Sequence, residues 1–191
     1  TAQMMDVYRI LDGVSIPLGR RSVLFQEVLM SQHHNAEVFR MVMEEAFGKG
    51  NTAVLDEVFA PDAQEHQFGM PPTVEGLKGS IKSLRTAFPD LTLTVEAVVT
   101  DGDMVWGRAT ARGTHLGPFM GMPPSSRKFA IQVFDMCRFK NGRIVEHWGV
   151  PDRFALMAQL GALPRQGQQA VQEPTEESRM QEIHAAHSRS S

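Results

Sequence analysis

Cysteine is nearly missing from this sequence: Cys137 stands alone among 191 residues. One thiol excludes an intramolecular disulfide framework and any metal centre built from several thiolates. A large excess of charge of one sign is missing too. A formal net charge of −3 and a pI near 6.1 give no electrostatic basis for binding nucleic acid. The longest apolar runs are far too short to span a bilayer. No basic segment followed by an apolar stretch opens the sequence, so no Sec-type signal is expected. These absences predict a cytoplasmic chain with neither a membrane nor a nucleic-acid partner. Chemistry-bearing motifs are equally scarce. Neither HxH nor HExxH spacing occurs, so no metal site is expected. No G-x-S-x-G elbow supports a serine triad. The Asp101-Gly102-Asp103 run is too short for a calcium loop.

What is present is ordinary globular material, 42% hydrophobic and 21% charged, enough for one domain with a core. Composition divides it into three stretches. Residues 1–34 form an N-terminal extension in which Val23-Leu24-Phe25 and Val28-Leu29 recur at helical spacing, as in a short helix or docking arm. Residues 35–164 carry the domain. Residues 165–191 are rich in Gln, Glu, Ser and Arg and read as a mobile tail, with some helix near Glu176 to Ala186.

Within the domain, Asn35 is an N-cap type, and Val38/Phe39, Val42/Met43 and Ala46/Phe47 make one helical stripe that Gly48 and Gly50 stop. A second helix is expected at 52–59, broken by Pro61-Asp62, and a third at 74–88 with Leu77, Ile81, Leu84 and Phe88 inward. Strands follow, turning at Asp101-Gly102-Asp103 and at Asn141-Gly142. Pro151 opens a last helix, with Phe154, Met157 and Leu160 inward and Gly161 as the stop. Helices segregated from an antiparallel meander define an α+β fold.

The final hairpin raises a chemical question. Phe129, Ile131, Val133, Asp135, Cys137 and Phe139 share one face, so a carboxylate sits in an apolar row. Two registers are available. Pairing Lys140 with Arg143 sets Asp135 opposite Trp148. A three-residue loop centred on Gly142 sets Asp135 opposite Gly149 and Cys137 opposite His147, with Val145 on the same face. The second is favoured, because it turns Lys140, Arg143 and Glu146 outward. A carboxylate on such a face is costly when ionised unless it is paired or hydrogen-bonded. Burial raises its pKa and an imidazolium lowers it, and either suits an Asp–His pair to proton transfer near neutral pH. The competing reading is a structural aspartate held by backbone or Arg138 hydrogen bonds.

Three blocks, from Asn35 to Gly69, from Ala87 to Phe129 and from Asp135 to Pro164, resemble the SnoaL-like polyketide cyclase (ester cyclase) family. The Gly113-Thr114-His115-x-Gly117 run, Gly121-Met122-Pro123-Pro124, and the stretch from Gly142 through His147-Trp148 to Gln159-Leu160-Gly161 carry the likeness. It implies an NTF2-like cone, a curved antiparallel sheet wrapped by helices around an apolar pocket. It also implies ring closure of a polyketide by intramolecular aldol chemistry, without metal or organic cofactor, on an apolar carbonyl-bearing small molecule, in a homodimer formed through the open sheet face. The family's best-known members carry a histidine at the position of Asp135 and a catalytic aspartate at the position of Gly149, so this chain departs at both. Asp135, with His147 or His115, is therefore the candidate acid/base group. His66, Trp106, Met122, Phe129, Val133, Gly149 and Asp152 are candidate substrate contacts. The alternative is a non-catalytic binding or dimerisation module on the same cone.

Overall fold

The computed structural model describes residues 18–163. The expected tail at 165–191 and the first seventeen residues of the N-terminal extension lie outside the described residues.

Helix α1 (Leu18–Met41) runs directly into a wider π-helical turn, Val42–Gly48. Asn35 is therefore an interior, buried helix residue and caps nothing. The boundary drawn at 34/35 falls inside this helix. It marks where burial begins, since Val23, Val28 and Leu29 are exposed whereas Val38, Phe39, Val42 and Met43 are buried. Gly48 ends the π turn against the sheet, where a Cβ would stand 3.1 Å from the Leu93 amide nitrogen. A short α2 (Val54–Val58) follows.

Strand β1 (Phe59–Glu65) contains Pro61, which was expected to break the chain. The proline is tolerated because β1 is an edge strand, where a missing N–H interrupts no interior ladder. Helix α3 (Val74–Ala87) starts at Thr73, whose hydroxyl accepts the Gly76 amide at 3.1 Å. It buries Leu77 and Ile81, and Phe88 is buried just beyond its end. The meander β2 (Thr92–Asp101), β3 (Met104–Thr114), β4 (Lys128–Lys140) and β5 (Arg143–Pro151) pairs antiparallel throughout, and β1 adds in parallel beside β5. The strand order is β1-β5-β4-β3-β2. The helices and the inward strand residues enclose one apolar core.

The last helix, α4 (Arg153–Leu160), begins one step later than expected. Pro151 closes β5, and Asp152 is the cap, its carboxylate accepting the Ala155 amide at 2.8 Å. That offset rotates the inward stripe onto Leu156 and Leu160 and leaves Phe154 exposed. Gly161, in the left-handed region, stops the helix as expected.

Among the described residues no helix is long and apolar enough to cross a membrane.

Candidate active site

The β4–β5 hairpin uses both registers that the sequence allowed. Asn141 and Gly142 both have positive φ, and Lys140 pairs with Arg143 across a two-residue turn. Between Arg138 and Phe139 the register then slips by one. Ile144 stays inward opposite Phe139, Val145 is the extra residue of a β-bulge, and beyond it Cys137 faces His147 and Asp135 faces Gly149. The favoured pairing is thus reached by a bulge rather than a longer loop. Ile144, not Val145, takes the buried place.

Behind the sheet's inner face lies a cavity of about 780 Å³, large enough for a drug-sized ligand. Phe88, Phe129, Ile131 and Val133 supply apolar wall, and Asp135 and Gln67 supply polar groups. The hydroxyls of Ser80 and Ser83, also in the wall, are already bonded to the helix carbonyls of Gly76 and Gly79 at 3.0 Å each. Phe68 and Met120 project at the open end, and Arg153 donates to the Phe68 carbonyl at 2.6 Å.

Asp135 is 3% exposed, and its Oδ1 has no hydrogen-bond partner. Burial pushes its carboxyl up to about 6; the nearby His147 opposes that rise and Glu65 adds to it. His147, fully buried, presents Nε2 to Asp135 Oδ2 at 4.0 Å. That is an electrostatic contact, longer than a hydrogen bond. Its Nδ1 lies 2.6 Å from Glu65 Oε2, which fixes that nitrogen as the donor. Burial works against the charged imidazole, but the Glu65 hydrogen bond and the charges of Asp135 and Glu65 outweigh it and raise the His147 pKa. The second Glu65 oxygen accepts the Gln67 amide at 2.7 Å. The result is a buried row, Glu65–His147–Asp135, whose last member faces the cavity. It can accept a proton from a bound molecule and hold compensating charge behind it.

Other candidates fall elsewhere. His115 is buried at the far end of β3, eight residues beyond Gly107, the cross-strand partner of Asp135. Measured along an extended strand that is a path of ~26 Å. Its Nδ1 meets the Ser125 hydroxyl at 3.0 Å and its ring packs on Phe88 and Phe119. His66 lies outside the cavity wall, stacked on Trp148 with ring centroids 4.7 Å apart. Trp106 is on the same outer face, paired across the sheet with Val99 and Met136. Asp152 is occupied as a cap, and Met122 packs beside the core through its bridge to Phe119. Phe129 and Val133 are in the cavity wall. Gly149 sits under the Gln67 side chain.

Glu65 and Gln67 escape the sequence reading. Only the alternation of Ala63 and Glu65 against Gln64 and His66 could have pointed to Glu65, and Pro61 obscured it. Among the described residues no group of three or more His, Cys, Asp or Glu side chains is arranged to hold a metal ion.

A helix-wrapped sheet that closes over an apolar cavity with one acid at its buried end defines a class of small-molecule proteins built on the NTF2-like cone. The chain belongs to the family described as SnoaL-like polyketide cyclase, whose profile matches residues 37–160. It is similar to nogalonic acid methyl ester cyclase of Streptomyces nogalater, 29% identical over 128 residues, which cover 62% of this chain and 92% of that one. Among solved structures it is similar to IdmH of Streptomyces antibioticus, to which a polyketide cyclase role is ascribed, with 39% identity, a TM-score of 0.60, and coverage of 66% of this chain and 98% of that one. TsrD of Streptomyces laurentii shows 29% identity and a TM-score of 0.61 over 70% and 97% of the two chains.

Proposed function

We propose that this chain is a cofactor-independent acid/base enzyme that closes a ring in, or isomerises, an apolar carbonyl-bearing molecule of polyketide type. The observation that carries the reading is the unpartnered Asp135 oxygen beside the cavity, backed by the buried His147–Glu65 pair. With a pKa of about 6, Asp135 is mostly a carboxylate at neutral pH and serves as base. It takes the proton from a carbon next to a carbonyl. The electron pair of that C–H bond forms the enolate, which attacks a second carbonyl of the same molecule to make the new C–C bond. Asp135 then returns its proton to the resulting alkoxide, so substrate and product are isomers. The His147 imidazolium steadies the carboxylate throughout. Apolar walls hold the two reacting carbons together and exclude water. In this arrangement the acid reaches the substrate from β4, across the hairpin from Gly149.

The same reading assigns the outer sheet face to a second copy of the chain. Val99, Trp106, Phe134 and Val150 stand exposed there on four adjacent strands, and sedimentation of wild type against Phe134→Glu tests that contact.

The chemical test is isotope exchange. Nogalonic acid methyl ester and simpler β-diketones are incubated in heavy water and followed by NMR. Wild type exchanges the proton between the carbonyls, and Asp135→Asn lowers the rate by roughly 10²-fold or more. An Asp135→Asn chain that exchanges at the wild-type rate overturns the proposal.

A further inference from the structure

Gly149 is crowded in an informative way. A Cβ built there would stand 2.7 Å from Asp135 Oδ1 and 2.8 Å from the Gln67 amide carbon, with Gln67 Oε1 closer still. The Gln67 amide therefore fills the space that any side chain at 149 would need, immediately beside the unpartnered oxygen of Asp135. The backbone turn that carries this side chain is fixed. The Gln67 N–H is held by Glu65 Oε1 at 2.7 Å, the neighbouring His66 N–H by the His147 carbonyl at 2.8 Å, and the Gln67 carbonyl accepts the Met70 amide at 3.1 Å. One turn thus ties Gln67 to the same two residues that back Asp135.

We infer that Gln67 is the residue that anchors a substrate carbonyl, its amide N–H₂ donating to the oxygen whose neighbouring carbon faces Asp135. A carboxylate can only accept when ionised, so the base cannot itself hold a carbonyl oxygen. The site needs a donor, and the primary amide is the uncharged one at this end of the cavity. Its own oxygen is left facing the 149 slot, where glycine makes room for it. As the carbonyl turns into an enolate the same N–H bond strengthens, so the anchor also favours the charged intermediate. The inference rests on the reading of the cavity as a carbonyl-binding site. It adds which residue selects a ketone over a hydrocarbon of the same shape.

The test compares two rigid tricycles that differ by one carbonyl, 9-fluorenone and fluorene, titrated into the full chain. Wild type binds the ketone more tightly. Gln67→Ala weakens fluorenone about tenfold, equal to about 1.4 kcal/mol, and changes fluorene less than about twofold. Gln67→Met keeps the size, removes the N–H₂ donor and shows the same selective loss. Gly149→Ala, which pushes the amide out of its slot, does likewise without touching Gln67. Asp135→Asn retains the ketone preference, so failure of proton exchange and failure of the anchor are separable. Equal losses for both ligands, no loss in any variant, or a wild type that does not distinguish the two compounds overturns the inference.

Discussion

Residues 65–66 and 146–147 place the same two side-chain types on opposite faces of one pair of strands. On the inner face Glu65 meets His147 at 2.6 Å, both essentially inaccessible to water. On the outer face His66 meets Glu146 at 3.4 Å, with side chains 37% and 31% exposed. The inner pair has one partner each way and no solvent to fall back on, so its geometry is fixed and its charges act on Asp135. The outer pair shares Glu146 with Arg138, at 2.6 Å, and lies in water with Trp148 as a platform. Two similar Glu–His contacts therefore do different jobs. The inner one sets the electrostatics around Asp135, and the outer one joins the edge strand to its neighbour. Burial, not residue type, separates them.

The largest break in this contrast is Glu65→Ala. It leaves the imidazole buried without its anchor and should lower stability by about 3 kcal/mol, measured by urea unfolding, with proton exchange falling at least about tenfold. A variant as stable as wild type would mean that the inner pair is no more than the outer one turned inward.

Next comes the pH dependence of Asp135→Asn. Burial raises the Asp135 pKa from 3.8 to about 6, so the folded chain holds this proton more tightly than the unfolded one. Stability from this group is complete below the unfolded value and is lost as pH climbs through the folded one. Asparagine never ionises and escapes that loss. The variant should match wild type near pH 4 and gain on it up to pH 7, levelling at about 3 kcal/mol. His147 does not reverse the trend, since Glu65 still supports its charge in the variant. Unfolding curves at five pH values check the slope, and a flat difference would remove the burial argument.

The smallest effect belongs to His66→Ala. Loss of an exposed side-chain contact should cost under about 1 kcal/mol and leave exchange unchanged. A large loss of exchange would place the outer face in the chemistry.

The sequence made most of this legible where a period or a turn carried the signal. The α3 stripe, the Asn141-Gly142 turn and the alternation of β4 were readable because each depends on neighbours a few residues apart. Their consequence, Asp135 inward beside His147, was readable too. Features that depend on distant partners were not. Pro61 looked like a breaker because nothing local says that β1 lies at a sheet edge. Asn35 looks like a cap because the helix continuing before it exposes Val23, Val28, Leu29 and Met30 instead of burying them. The reading of α4 missed by one residue at Asp152, and a one-residue error in a helix turns its inward face by about 100°. Glu65 and Gln67 join Asp135 only through the pairing of β1 with β5, a contact spanning some eighty residues of chain.

Val145 sets the phase of that geometry. Side chains alternate along a strand, so the extra residue decides which face every position from Glu146 to Val150 occupies. Were Val145 instead to pair regularly with Arg138, the dry histidine would be exchanged for the wet glutamate and Trp148 would turn toward the cavity, with no substitution at any of those positions. Removing Val145 would instead leave Ile144, Glu146 and His147 in unbroken alternation and keep the wall as it is. The bulge is thus a phase shifter, which lets a two-residue turn and an inward-facing His147 coexist in one hairpin.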